Sequence, residues 1–141
     1  MNLLSMEEAT TNKVQTLFAV TGVASFGSLH RVSESIWKEL VEDYDQDNVR
    51  KNHPGCSLRK HNATLGPISM LHGTSSQSRR RSCIAVKNVY GDDHTTYFGG
   101  LDPVPIGYEQ WQNRSIKPAE KMKLDGMELE ALEGLCVKRG W

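Results

Sequence analysis

The spacing of apolar positions divides the chain into a helical start, a polar middle and a helical end. Ser5-Met6-Glu7-Glu8 matches the capping box, in which a serine and a glutamate three residues apart satisfy each other's unpaired amides, so a helix is predicted from about Met6 to Val20. Val14, Leu17 and Phe18 share one face of it, and Thr21-Gly22 marks its stop, since glycine adopts the left-handed C′ conformation at little cost. The strongest periodicity follows. Leu29, Val32, Ile36, Trp37, Leu40, Val41 and Tyr44 recur at steps of three and four, while Arg31, Glu34, Lys38, Glu39, Glu42 and Asp43 fall mostly between them. That pattern predicts an amphipathic helix over 29–44, with Ser33 or Ser35 as the cap of a shorter helix if the region splits in two.

After Asp45-Gln46-Asp47-Asn48 the periodicity is lost. Glycine, proline and asparagine dominate from Asn52 to Gly73, which predicts loop with one short strand at Ile68–Leu71. Gly73 to Ser78 reads as a polar link. Cys83–Tyr90 then reads as a strand, Gly91-Asp92-Asp93 as a turn and His94–Phe98 as the returning strand of a hairpin. Pro103 and Pro105 exclude 102–105 from a central strand, because proline donates no ladder hydrogen bond. Pro118 suits the first turn of a short helix over Lys117–Leu124, and Gly126 ends it. Met127–Lys138 is the last predicted helix, with acidic residues leading and Lys138-Arg139 at the end its dipole favours. The expected fold class is therefore α+β: N-terminal helices and a C-terminal helix packed on a small antiparallel sheet containing the 83–98 hairpin. The chain reads as a single domain over 1–141, mainly helical over 1–46, loop-rich over 47–82, a hairpin over 83–100 and helical over 116–141.

Composition narrows the function classes. The 141 residues carry 17 basic and 17 acidic side chains, so the net charge is zero and no global field attracts nucleic acid or an anionic membrane. Any such contact rests on a local patch. No apolar run approaches the roughly 20 residues that span a bilayer. The N-terminus has neither a basic leader nor a long apolar core, so the expectation is a cytoplasmic protein with no membrane partner. Three cysteines in such a chain read as reduced thiols rather than a disulfide framework.

Candidate chemistry concentrates between His53 and His94, where four of the five histidines and two of the three cysteines fall in the order His53, Cys56, His61, His72, Cys83, His94. Imidazole and thiolate are the donors zinc selects. His53-x2-Cys56-x4-His61 resembles the first three positions of a zinc knuckle, C-x2-C-x4-H-x4-C, although the fourth falls at Gly66 and histidine replaces the first cysteine. His53, Cys56 and His61 are thus the candidate metal ligands, with zinc the cofactor they would take and no other cofactor implied. Cys56, with histidines on either side, is also the candidate nucleophile, and Asp92 and His94 are candidate acid–base groups in the hairpin turn. Arg79-Arg80-Arg81 and Lys87 form a basic run ahead of Tyr90, Tyr97 and Phe98, the mixture by which single-stranded nucleic acid is bound on a sheet. No P-loop, G-x-G-x-x-G or G-x-S-x-G motif occurs. Leu17-Phe18-Ala19-Val20-Thr21-Gly22, with Trp37 downstream, resembles the opening of ubiquitin-associated helical modules, and no function is carried over from it.

Three readings follow. The first is a small intracellular binding or regulatory domain whose partner is protein or nucleic acid, contacted through Arg79, Arg80, Arg81 and Lys87. The second is a metal-assisted hydrolase built on the His/Cys loop. The third is a self-associating protein, a homodimer joined through the apolar faces of the 29–44 and 127–136 helices.

Overall fold

A computed structural model of the chain describes residues 24–42, 44, 52–58, 67–107, 110–111 and 116–141. The predicted helix from Met6 to Val20, the Leu17–Gly22 segment and His61 lie outside these residues. The chain order is β1 (Ser28–Ser33), α1 (Glu34–Leu40), β2 (Asn52–Ser57), β3 (Ile68–Thr74), β4 (Ile84–Lys87), β5 (Thr95–Phe98), β6 (Val104–Ile106), β7 (Ile116–Lys123) and α2 (Gly126–Arg139). Among the described residues the strands form one seven-stranded sheet in the order β4-β5-β3-β2-β1-β7, with β6 paired to β3 beside β5. Every pairing is antiparallel. The sheet curls into a half-barrel. The Lys121 amide donates to the Val89 carbonyl at 3.0 Å, so β7 meets the chain leaving β4.

This architecture corrects the expected α+β arrangement of several helices on a small sheet. The apolar steps from Leu29 to Tyr44 do not form one helix. Leu29 and Val32 sit on opposite faces of strand β1, and both are fully buried because each face has its own core. A strand covered on both sides loses its polar alternation, and its apolar positions then imitate a helical spacing. Ser33 caps the short helix α1, its side chain accepting from the Ser35 amide at 3.3 Å.

The region expected to be loop with one short strand at Ile68–Leu71 contributes two of the central strands: the expected one is present, extended to Thr74 as β3, and β2 is the unexpected one. Pro54 lies in β2, but the β2–β3 ladder begins at Gly55, so Pro54 has a paired strand only on the β1 side. Gly55 is there because Met70 and Val32 fill the space a side chain would need. The predicted helix at 117–124 is strand β7 instead. It pairs only with β1 along the sheet path, and an edge strand tolerates Pro118. The hairpin is present as β4 and β5, in the register Ile84↔Phe98 to Lys87↔Thr95. The last helix, α2, starts at a capping box between Asp125 and Glu128 and ends at Gly140 in the left-handed conformation, φ 72°.

Two clusters of buried side chains divide the core. The inner one draws Leu29, Cys56, Leu71, Val86, Phe98 and Ala119 from strands across the whole sheet and is closed by Leu132, Leu135 and Cys136 of α2. The outer one joins Val32, Met70, Ile106 and Ile116 to Ile36 and Trp37 of α1.

Two glycines test this packing with opposite signs. Gly55→Ala places a methyl group against Met70 Sδ and 2.9 Å from Val32 Cγ2, and overpacking of this kind costs about 1–3 kcal/mol. Gly134→Ala on α2 meets nothing within 4 Å and stabilises by about 0.5–1 kcal/mol through helix propensity. Urea unfolding of both variants measures the two shifts, and a neutral or stabilising Gly55→Ala contradicts the packing described.

Candidate functional site

The inner face has two ends. Strand directions place Gly27, Cys56 and Ile84 near α2, and Asn52, Ser75 and Thr95 at the opposite, open end. There a cleft of about 350 Å³ is lined by Arg31, Pro54, Tyr90, Asp92, His94 and Thr96, together with Asn52, Ser75 and Thr95. Arg31 reaches it because β1 alternates: Leu29 goes into the inner core, and Arg31, two residues on, shares that face at the rim. Its guanidinium lies 4.0 Å from the centre of the Tyr90 ring and donates to Glu120 Oε1 at 2.6 Å. That bond holds the Glu120 carboxyl below the usual carboxylate range. The turn carrying Tyr90 is shaped by Asn88 in the left-handed conformation, φ 63°, and by the Asn88 amide bonding the His94 carbonyl at 3.1 Å. Asp92 Oδ1 accepts from the His94 amide at 3.3 Å. The turn thus brings the predicted acid–base pair Asp92 and His94 to one cleft with Arg31.

Of the predicted metal set, His61 lies outside the described residues, and the other two members do not come together. His53 and Cys56 are three residues apart on a strand, so they point to opposite faces: His53 outward beside Val32, and Cys56 inward beside Leu29. Burial, with Cys136 and Glu128 adding to it, pushes the Cys56 thiol far above its ordinary value, which disfavours the thiolate that nucleophilic attack needs. Among the described residues no group of three or more histidine, cysteine, aspartate or glutamate side chains could hold a metal ion.

The basic run is likewise divided. Arg79 and Arg80 are exposed in the link before β4. Arg81 bonds Asp102 at 2.7 Å and the Gly100 carbonyl at 3.3 Å, beside the end of α2. Lys87 is exposed at the other end of β4, and its carbonyl accepts from Lys121 Nζ. Of the three aromatics noted beside the run, Tyr90 lines the cleft, Tyr97 is half-buried and Phe98 is core. The apolar faces considered for self-association cover the chain's own sheet, through Ile36 and Trp37 in the outer cluster and Leu132 and Leu135 in the inner one.

A second polar group, which the sequence did not reveal, lies buried between α1 and the outer face. His53 Nδ1 is 3.0 Å from Glu34 Oε2. The Tyr44 hydroxyl donates to the Glu34 carboxylate and lies 3.0 Å from His72 Nε2. The His53 and His72 rings are 4.9 Å apart, and the His72 ring also meets Trp37 edge-on at 4.9 Å. Trp37 Nε1 donates to the His53 carbonyl at 3.3 Å. Burial first, and the neighbouring His53 second, lower the His72 imidazole to about 3. Elsewhere on this face burial lowers His30 to about 4. Ser28 Oγ gives its one proton to the Ser25 carbonyl, so it accepts from His30 Nε2, and His30 carries its hydrogen there. This group is a clamp for α1. Glu34, His53 and His72 are all buried, unlike the exposed Asp92 and His94 of the cleft.

Glu34 and Tyr44 were hidden as polar and apolar positions of a predicted helix, and Arg31 as its solvated side. The alternation Leu29-x-Arg31 against His30-x-Val32 was the available signal. No protein-family model, no curated protein and no solved structure matches the chain. Among the described residues no helix is long and apolar enough to cross a membrane.

The two depressed imidazoles set a pH dependence. Neutral in the fold and protonatable near 6.5 when unfolded, His30 and His72 make the unfolded state bind more protons below that pH. Stability is therefore complete above about pH 6.5 and falls as pH drops toward 4, by about 1.4 kcal/mol per pH unit for each histidine. Urea midpoints measured from pH 7.5 to 4.5 give this slope, and His72→Gln flattens it. An unchanged slope in His72→Gln rules out the assignment.

Proposed function

We propose that this chain is a small binding domain that takes a polar ligand into the open end of its curled sheet. The observation that carries this reading is the cleft itself. Its volume falls within the range of about 300–1,000 Å³ usual for small-ligand sites, and it gathers a stacked guanidinium, a carboxylate and an imidazole among hydroxyl-bearing side chains. The walls come from β1, β2, β5 and the turn before β5, a scaffold that positions these groups before any ligand arrives. Arg79, Arg80 and Lys87 remain exposed on the same molecule and can meet a polyanionic partner, whereas Arg81 is committed to Asp102. The hydrolase reading lacks comparable support, since His53 and Cys56 face different cores.

A titration of the ¹⁵N-labelled chain with polar aromatic and sugar-phosphate fragments tests this by heteronuclear NMR. The expected shifts concentrate on the amides of Arg31, Tyr90, Asp92, His94 and Thr96. Shifts confined to residues around α1, or no response of the cleft amides at millimolar fragment, overturn the proposal.

A further inference from the structure

We infer that the ligand of this cleft is a nucleobase, laid flat against the Arg31–Tyr90 stack and recognised at its N–H edge by Asp92; the inference rests on the binding reading above. Arg31 is fixed on two sides: Tyr90 lies 4.0 Å beneath its guanidinium, and Glu120 holds it laterally at 2.6 Å. The side chain remains 35% exposed and lines the cleft together with Tyr90, so both are within reach of whatever enters. A guanidinium held in this way is flat and weakly hydrated, and it is a surface on which unstacked bases lie. Because its orientation is already set, little ordering remains to be done on binding.

Asp92 supplies the selection. One of its oxygens accepts the His94 amide, and the carboxylate can only accept, so it favours a ligand edge made of donors. Guanine offers two adjacent donor groups, N1–H and the N2 amine. Adenine offers an amine beside a bare ring nitrogen, and uracil a single N–H between two carbonyls. The expected order is therefore guanine first. Asn52, Ser75 and Thr95 on the remaining wall are suited to the hydroxyls of the attached sugar.

The test is an NMR and calorimetric titration of the full chain with GMP, AMP, ribose 5-phosphate and a guanine-containing single-stranded RNA hexamer. The wild type is compared with Asp92→Asn and Arg31→Lys. Asp92→Asn keeps an oxygen for the His94 amide but replaces one acceptor with a donor. Arg31→Lys keeps the charge for Glu120 and removes the plane. GMP is expected to bind at least about tenfold more tightly than ribose 5-phosphate, and each substitution to weaken GMP by about tenfold. A hexamer tighter than GMP, with affinity falling as salt rises, makes the source a nucleic-acid strand, and equal affinities make it a free nucleotide. Ribose 5-phosphate matching GMP, no binding of any base-containing ligand, or GMP affinity unmoved by both substitutions overturns the nucleobase assignment. The fragment titration judges the cleft itself separately, since it includes ligands without a base.

Discussion

The structure depends on strands β1, β2 and β3 having to satisfy a core on each of their two faces. Leu29, Cys56 and Leu71 point inward, and Val32, Gly55 and Met70 point outward, so neither face can be left to water without exposing apolar side chains. The inner side is buried by curling, which brings the chain after β4 to β7 and leaves α2 to close one end. Curling cannot cover the outer side, and that work falls to α1, β6 and the chain around Trp111. Helix α1 has seven residues, too few to persist alone, so it exists because of what it covers.

That dependence explains why so much polar chemistry is buried under α1. Once His53 and His72 are enclosed, their ring nitrogens need partners, and an unpartnered polar atom in such a place costs about 1–3 kcal/mol. Glu34 and Tyr44 supply the partners from α1 and the segment after it, and Trp37 supplies a donor to the His53 backbone. Each member fixes another, so the network specifies one docking position for a helix whose apolar contacts alone would tolerate several. The open end of the curl has the opposite character. Its groups are half in water, and the stack of Arg31 on Tyr90 is held by geometry more than by burial.

How much could be read from the sequence follows from these two environments. The β4–β5 hairpin and α2 are legible because each has one wet face and carries its own punctuation, the turn at 91–93 for the hairpin and the Asp125 box with Gly140 for the helix. The central strands are illegible for the same physical reason that they are stable: burial on both sides removes the period-two signal, and Pro54-Gly55 looks like a turn although it sits where a ladder starts and two neighbours press in. For the site, Asp92 and His94 could be picked out as a turn pair. Their connection to Arg31, more than fifty residues earlier, depends on a curl that no local pattern encodes. The His/Cys grouping shows the converse error, since His53 and Cys56 are an odd number of residues apart on one strand and so lie on opposite faces of the sheet.

Helix α2 and the cleft occupy opposite ends of one curled surface, and this has a consequence for substitution. The residues that decide whether the inner core closes, such as Leu132, Leu135 and Phe98, are not those that line the opening. Asp92, Asp93 and His94 are exposed and can be replaced while the closed end stays constant, much as a handle can be reshaped without touching the hinge, although Gly91 is fixed by its left-handed φ of 73°. The opening can therefore change its side chains with little effect on the closed end, whereas Leu132, Leu135 and Phe98 are held by the core they fill.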